Sequence, residues 1–225
     1  MSHILVTGAN RGIGLSLCKQ LHDKAHKIFA VCRQSSDELN TLVGDRLQII
    51  ENIDVSKNDS VSVLQNALKT QNAQLDLLIN NAGLLKKTSL DALDFDAIEA
   101  QMQVNAYGPL RVVQACIPFL NKPAKIAIIT SRMGSIADNG SGGQYGYRMS
   151  KSAVNSAGMS LAHDLKPREI AVGLLHPGYV QTDMTGKQGH IDTETSARGI
   201  LERIQELTLE NTGSFWHMNG EELPW

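Results

Sequence analysis

Short apolar runs rich in Ile and Val alternate along the chain with longer segments whose apolar residues recur at helical spacing. Each run is short enough for a strand buried on both faces, as in parallel sheets covered by helices. Alternation of this kind predicts an α/β fold with right-handed crossovers. The predicted strands are His3–Thr7, Lys27–Cys32, Leu47–Ile50, Leu75–Asn80, Lys125–Thr130, Ala171–His176 and Ser214–His217.

Six segments with helical periodicity lie between these strands. Ser56 and Asp192 are helix-start signals, and Pro118 and Pro167 mark helix ends because proline cannot continue a helix. No linker rich in Pro or Ser and no internal repeat divides the chain, so residues 1–225 are predicted to form one domain. The predicted helices are Ile13–Asp23, Asp37–Val43, Lys57–Thr70, Leu93–Leu120, Gly146–Leu165 and Thr193–Leu207.

Charge and cysteine content narrow the range of partners and compartments. The chain carries 21 Lys and Arg against 23 Asp and Glu, a net charge of −2 that argues against a nucleic-acid or anionic membrane partner. Cys18, Cys32 and Cys116 form no CxxC pair and are expected to be buried thiols in a reducing compartment. Neither a signal peptide nor a transmembrane run is present, so the sequence predicts a cytoplasmic protein.

A glycine-rich turn, Thr7–Gly14 (TGANRGIG), follows the first predicted strand. Gly8, Gly12 and Gly14 suit a tight turn, a close approach of backbone to a pyrophosphate, and close packing of a helix on the sheet. The helix that begins near Ile13 directs free N–H groups at such phosphates. An ordinary tight turn is the alternative, but a P-loop is excluded because no Gly-Lys-Ser/Thr follows. The segment predicts a dinucleotide site.

The end of the second predicted strand indicates which dinucleotide fits. An NAD site needs an Asp or Glu there for the ribose 2′-OH, whereas this chain reads Val31-Cys32-Arg33. Arg33 and Arg11 could instead converge on a 2′-phosphate as charge-assisted donors. The alternative is that both arginines are solvated surface groups. We expect NADP(H) to be preferred, with NAD(H) possible.

Tyr147 and Lys151 lie four residues apart on a predicted helix, which places both side chains on one face. A neighbouring ammonium favours the phenolate, so we expect a lowered pKa for Tyr147 and proton transfer near neutral pH. Tyr145 lies six residues from Lys151 and falls on another face. A Tyr-x-x-x-Lys pair by itself is usually structural, so its weight depends on the residues around it.

Four motifs in order resemble those of classical short-chain dehydrogenases/reductases: the glycine turn, Asn80–Gly83 (NNAG), Tyr147 with Lys151 (YxxxK), and Pro177–Met184 (PGYVQTDM). The length of the chain and its ending Gly213–Trp225 are similar to the C-factor and sniffer-like carbonyl reductase branch. The resemblance agrees with the strand pattern. Together they predict a single Rossmann-type, doubly wound parallel sheet of about seven strands with helices on both faces.

The resemblance also implies catalytic roles. Tyr147 would be the general acid or base, Lys151 would hold the nicotinamide ribose, Ser131 would hydrogen-bond the substrate oxygen, and Asn105 would support a water relay to the lysine. Ser135 competes with Ser131, because the separation from the tyrosine exceeds the usual one, which we interpret as a loop insertion. Ser131 is favoured because it ends a strand. No metal is expected.

The same resemblance implies a set of cofactor contacts. Asp54 would lie beside the adenine, Asn81 and Gly83 near the adenosine ribose, and Val180 and Thr182 at the nicotinamide amide. The full set expected to bind the cofactor is Gly8, Asn10, Arg11, Gly12, Ile13, Gly14, Arg33, Asp54, Val55, Asn81, Ala82, Gly83, Tyr147, Lys151, Pro177, Gly178, Val180 and Thr182.

The leading functional hypothesis is an NADPH-dependent oxidoreductase that reduces an aldehyde or ketone to an alcohol. The alternative is a dinucleotide-binding regulatory or signalling protein with little or no turnover, although a pure binder would not need the catalytic set. An epimerase or dehydratase is disfavoured by the glycine spacing. The resemblance also implies a homodimer or homotetramer in which the helices predicted at 93–120 and 146–165 pair across a two-fold axis. The many small apolar residues of these helices permit such a close approach, but they equally permit packing on the sheet.

Overall fold

Seven parallel strands form one sheet at the centre of the computed structural model, which describes residues 1–225. The spatial order of the strands is third, second, first, fourth, fifth, sixth and seventh. The chain therefore starts in the middle of the sheet, runs to one edge and then returns to build the other half. This confirms the predicted doubly wound sheet. The strands are β1 (His3–Thr7), β2 (Lys27–Val31), β3 (Leu47–Ile50), β4 (Leu75–Asn80), β5 (Leu120–Ile129), β6 (Ile170–His176) and β7 (Phe215–His217).

Helices cover both faces of this sheet and bury two apolar clusters of nearly equal size, with 23 and 22 residues. Each cluster packs three helices on the sheet, which explains why the strands are apolar on both faces. The helices are α1 (Gly12–Asp23), α2 (Asp37–Asn40), α3 (Asp59–Thr70), α4 (Phe95–Gln101), α5 (Gly108–Cys116), α6 (Tyr145–Leu165) and α7 (Thr193–Glu206). Helices α3, α5 and α6 contribute to the first cluster, and α1, α2 and α7 to the second.

The helix predicted over Leu93–Leu120 is wrong as one element. Helix α4 passes into a π-helical stretch at Met102–Tyr107, and α5 ends before a short turn that contains Pro118. A wider π turn is a local irregularity that often occurs at functional sites, and this one carries Asn105. The chain then enters β5 five residues earlier than predicted, at Leu120 rather than Lys125.

Most of the other predicted elements differ from the observed ones by one to three residues at one end. Helix α2 stops at Asn40 instead of Val43, because the residues beyond it make isolated turn hydrogen bonds from Leu42 and Val43. Strand β2 stops at Val31, which leaves Cys32 outside the sheet ladder. All three cysteines are buried and unpaired, as predicted. The structure contains no helix with the length and apolar character needed to cross a membrane.

Candidate active site

A cleft of about 650 Å³ opens at the carboxyl ends of the strands. Ligands bind at this edge of doubly wound sheets, where the strand order reverses; here the reversal lies between β1 and β4. The structure brings most of the predicted cofactor residues to the walls of this one cleft. They are Gly8, Asn10, Arg11, Gly12, Ile13, Arg33, Asp54, Val55, Asn81, Ala82, Gly83, Tyr147, Lys151, Pro177 and Thr182.

The glycine turn has the shape that a pyrophosphate requires. Gly8 and Gly12 adopt left-handed φ angles of +65° and +54°, which favour glycine. Gly14 does not line the cleft, but a Cβ there would collide with the carbonyl oxygen of Gly8, so it allows α1 to lie against the turn. No side chain caps the start of α1, which leaves its first N–H groups free for an anionic ligand.

Asn81 ties the glycine turn to the end of β4. Its Nδ2 donates to the carbonyl oxygens of Thr7 at 3.0 Å and Gly8 at 3.3 Å. In return, the Thr7 hydroxyl accepts from the backbone N–H groups of Asn81 at 3.0 Å and Ala82 at 3.1 Å. The NNAG motif therefore holds the turn in place in addition to lining the cleft.

At the end of the cleft beyond β2, Asp54 and Arg33 lie close enough to interact. Burial raises the pKa of Asp54, but hydrogen bonds from Ser56 and the charge of Arg33 outweigh it and lower the pKa overall. The Asp54 Oδ1 accepts from the Ser56 N–H at 3.0 Å and from its hydroxyl at 2.7 Å. The carboxylate is thus charged and fixed, and Arg33 remains the cation at the position where an NAD site would carry an acid.

Arg11 also lines the cleft and pairs with Asp183, its Nη1 being 3.7 Å from Oδ2. Both side chains are about two-thirds exposed, at 69% and 66%. Exposed pairs of this kind are weak. The guanidinium therefore remains available to an anionic ligand in the cleft.

Tyr147 and Lys151 line the cleft, and Ser131 lies beside the tyrosine without lining the cleft itself. Lys151 is 4% exposed, and its Nζ donates to the Ile129 carbonyl oxygen at 2.9 Å. That nitrogen lies 5.7 Å from the centroid of the Tyr147 ring. The Ser131 hydroxyl lies close enough to the phenol to lower the pKa of Tyr147. A carbonyl oxygen at this point would meet two hydroxyl donors.

The expectation of a lowered tyrosine pKa is wrong for this structure. Burial raises the pKa of Tyr147 to about 12, and the hydrogen bond from Ser131 offsets this only in part. Burial also lowers the pKa of Lys151 to about 8, so the lysine is itself close to losing its charge. The phenol is consequently protonated at neutral pH, which is the state that a proton donor needs.

The two competing serines have different surroundings. Ser135 donates to the main-chain oxygen of Trp225 at 3.0 Å and accepts from the N–H of Asp138 at 3.0 Å. Ser131 accepts a 3.1 Å hydrogen bond from the N–H of Met133, and its hydroxyl faces Tyr147. Only Ser131 is therefore placed to meet a substrate oxygen beside the tyrosine.

Asn105 is buried beside the cleft but does not line it. Its Oδ1 accepts from the Leu84 N–H at 2.7 Å, and its Nδ2 donates to the Leu84 carbonyl at 2.7 Å and to the Ser150 hydroxyl at 3.0 Å. These bonds join the loop after β4 to α6. The side chain thus positions the two elements that carry the NNAG motif and Tyr147.

The segment after β6 contributes Pro177 and Thr182 to the cleft, whereas Gly178 and Val180 shape the segment itself. Val180 is 3% exposed and pairs with Ile191 in an isolated β-bridge. Gly178 has a φ of +86°, and a Cβ there would lie 2.9 Å from Ile191. Val180 does not line the cleft with its side chain, and its contact with the nicotinamide amide stays a prediction.

His176 ends β6 and packs edge-on against His217, with ring centroids 5.0 Å apart. Burial lowers the pKa of His176 to about 3, so the ring is neutral.

Several lining residues were missed by sequence reasoning. Most flank a predicted motif or follow a strand, so adjacency to the carboxyl ends of strands was the signal that could have found them. The apolar members form the walls between the polar groups. The missed residues are Thr7, Val31, Cys32, Gln34, Ile53, Leu84, Val104, Ile129, Thr130, Asp183 and Met184.

Comparison with known proteins gives a consistent result. A family model described as short chain dehydrogenase matches residues 2–192. The chain is 39% identical over 229 residues to 1-hydroxy-2-glutathionyl-2-methyl-3-butene dehydrogenase of Rhodococcus sp. (strain AD45), and the match covers 100% of both chains. It is 44% identical over 154 residues to C-signal of Myxococcus xanthus, which covers 67% of this chain and 93% of that protein.

Solved structures agree with these relatives. The NADPH-bound carbonyl reductase from chicken fatty liver superimposes with a TM-score of 0.92 at 29% identity, covering 100% of this chain and 99% of that one. Carbonyl reductase Sniffer of D. melanogaster superimposes with a TM-score of 0.92 at 34% identity, covering 100% of both chains.

Proposed function

The chain belongs to the short chain dehydrogenase family, and from that premise we propose that it is an NADPH-dependent oxidoreductase that reduces an aldehyde or ketone to an alcohol. One observation carries the proposal. Tyr147 and Lys151 line the same cleft that the glycine turn lines, and the Ser131 hydroxyl lies beside Tyr147. Because one sheet forms both parts, we also propose that residues 1–225 act as one domain.

The residues present fit a dinucleotide. The uncapped start of α1 and the left-handed glycines would take the pyrophosphate, and Asp54 would lie by the adenosine. Arg33 and Arg11 would take a 2′-phosphate, in agreement with the NADPH named for the chicken carbonyl reductase. When bound, NADPH supplies the hydride.

The residues of the chain supply binding and proton transfer. Ser131 orients the substrate oxygen through its hydroxyl and stabilises the negative charge that grows there. Tyr147, held protonated by its burial, donates its proton to that oxygen. Lys151, anchored on the Ile129 carbonyl, places its ammonium beside the ring and stabilises the phenolate that remains.

The regulatory alternative is favoured by one observation, the 44% identity to C-signal. A signalling protein needs the glycine turn for a bound dinucleotide but does not need Ser131, Tyr147 and Lys151 to converge. The convergence therefore favours the enzyme.

The first test is consumption of reduced cofactor with NADPH and NADH side by side, against a panel of aldehydes, ketones and quinones. In the oxidative direction, a glutathionyl alcohol is assayed with NADP⁺ and NAD⁺ for formation of reduced cofactor, because the Rhodococcus relative is named as a dehydrogenase of such a compound. Turnover with preference for NADPH supports the proposal. Preference for NADH contradicts the 2′-phosphate assignment, and tight NADPH binding with no turnover on any compound favours the regulatory alternative.

We also propose a homodimer or homotetramer assembled through α4, α5 and α6. These helices leave large apolar side chains in solvent: Phe95 is 74% exposed, Met149 52% and Leu110 39%. Light scattering after size exclusion is expected to give at least twice the single-chain mass of 24.5 kDa. A particle of the single-chain mass would contradict this proposal.

A further inference from the structure

The last residues of the chain, 219–225 (hereafter the tail), fold back onto β7. The N–H of Leu223 donates to the Phe215 carbonyl at 2.8 Å, and the Leu223 side chain is 3% exposed. The Trp225 ring lies 5.2 Å from that of Phe215, measured between centroids. The tail is therefore a packed part of the molecule.

The turn that follows β5, residues 132–138 (hereafter the turn), makes three contacts with the tail. The Arg132 Nη2 donates to the Glu221 Oε1 at 2.7 Å. The hydroxyl of Ser135 and the N–H of Ala137 both donate to the main-chain oxygen of Trp225, at 3.0 and 2.9 Å. These contacts join residues up to 90 positions apart in the sequence and hold the turn, which directly follows Ser131.

Arg132 also forms an ion pair within the turn. Its Nε lies 3.1 Å from the Asp138 Oδ2, so the guanidinium joins a carboxylate of the turn to one of the tail. Since the two carboxylates neutralise its charge, Arg132 connects the turn to the tail and is not free to recruit an anionic substrate.

The other side of the turn rests on α6. A Cβ on Gly134 would lie 2.7 Å from the main-chain carbon of Lys151, and the Ser152 hydroxyl donates to the Gly134 carbonyl at 2.9 Å. The turn is thus held between a helix and the tail. The helix side combines close backbone packing with one hydroxyl hydrogen bond, whereas the tail side consists of polar contacts, of which single substitutions can remove those of Arg132 and Ser135.

We propose that the tail is a positioning element that keeps the Ser131 hydroxyl directed at Tyr147, and that Arg132 and Glu221 are its positioning residues. The inference rests on the proposed function, because it concerns the serine that would meet the substrate oxygen. The Ser131 hydroxyl already accepts from the N–H of Met133 in the same turn, so a rotation of the turn redirects it. Displacements of about 1 Å at such a group reduce turnover strongly.

The matched test compares Glu221→Gln with Glu222→Gln. Both residues are exposed neighbours in the tail, but only Glu221 pairs with Arg132. We expect Glu221→Gln to lower kcat about three- to tenfold with NADPH affinity unchanged, because an exposed pair contributes modestly and acts here through geometry. Arg132→Gln should lower it similarly, and the double variant no more than either single one. Glu222→Gln should behave as the parent chain.

Two further readouts separate positioning from simple destabilisation. In a Ser131→Ala background, Glu221→Gln should lower kcat no further, because the hydroxyl that it misplaces is already absent. Amide hydrogen exchange across residues 133–137 should be faster in the Glu221→Gln variant, while exchange in α1 stays unchanged.

Exchange needs no turnover, so a failure of the proposed function is distinguishable from a failure of this inference. If the parent chain turns over no compound, the proposed function fails and hydrogen exchange still decides whether the tail holds the turn that follows Ser131. Equal exchange in Glu221→Gln and Glu222→Gln would overturn the proposal. So would faster exchange with an unchanged kcat in an active enzyme.

Discussion

The two halves of the cleft are built differently. The cofactor half, from β1 to β4, is shaped by backbone: left-handed glycines, an uncapped helix start, and Asn81 bonded to two carbonyls of the turn. The substrate half, from β5 to the tail, is shaped by side chains that are distant in sequence, such as Ser135 and Trp225. The first half tolerates few residue types at each position, whereas the second can vary. Cofactor class is therefore easier to infer than substrate.

Ser131→Ala should distinguish the two halves of the cleft most clearly, because it should lower kcat without changing NADPH affinity. Removing a hydroxyl that stabilises charge on the substrate oxygen should lower kcat by about 10²- to 10³-fold. NADPH affinity should stay within about twofold, because the glycine turn is untouched. Steady-state kinetics together with cofactor fluorescence titration check both numbers.

Ser135→Ala is the control, and it should lower kcat far less because its hydroxyl is used by Trp225 and Asp138. A larger loss in Ser135→Ala than in Ser131→Ala would show that the wrong serine has been assigned.

Gly14→Ala tests the cofactor half, where we expect the change to affect stability and NADPH binding. The new methyl would collide with the backbone of Gly8, which cannot rotate away as a side chain can. We expect a loss of about 1–3 kcal/mol in the free energy of unfolding and weaker NADPH binding. Urea denaturation measures the first quantity, and Gly44→Ala is the control, because a Cβ there has no atom within 4 Å. Equal stability of the two variants would refute the packing argument.

The difference between the two halves of the cleft explains which features the sequence could predict. The parallel sheet and the glycine turn are local patterns, so strands such as His3–Thr7 and Leu47–Ile50 have the predicted bounds. The break at Met102–Tyr107 was not predictable, because apolar spacing continues through it and only packing selects the wider turn.

Predictions that depend on a side chain's surroundings were less secure. Val180 belongs to a motif yet is buried against Ile191. The pKa of Tyr147 depends on burial that no spacing rule contains. The contacts of Arg132 with Glu221 join residues 89 positions apart, beyond the reach of any local pattern.

A smaller effect is expected in the pH profile of carbonyl reduction. It depends on Lys151, which lies where the two halves of the cleft meet. Burial lowers the pKa of Lys151 from 10.5 to about 8, so its ammonium is present below that pH and is lost above it. Because the charge supports the Tyr147 phenolate, kcat/KM for reduction should fall above about pH 8. Lys151→Arg should lower activity but remove this alkaline limb, because arginine keeps its charge. An alkaline limb at the same pH in Lys151→Arg would assign it to another group.

If Tyr147 donates the proton, the cofactor half of the site should function without it. This is tested by measuring NADPH binding and NADPH-dependent carbonyl reduction on Tyr147→Phe, with Tyr145→Phe as the matched control. We expect Tyr147→Phe to bind NADPH like the parent chain and to lose at least about 10²-fold in kcat, while Tyr145→Phe stays within a few-fold. Undiminished reduction by Tyr147→Phe would contradict proton donation by Tyr147.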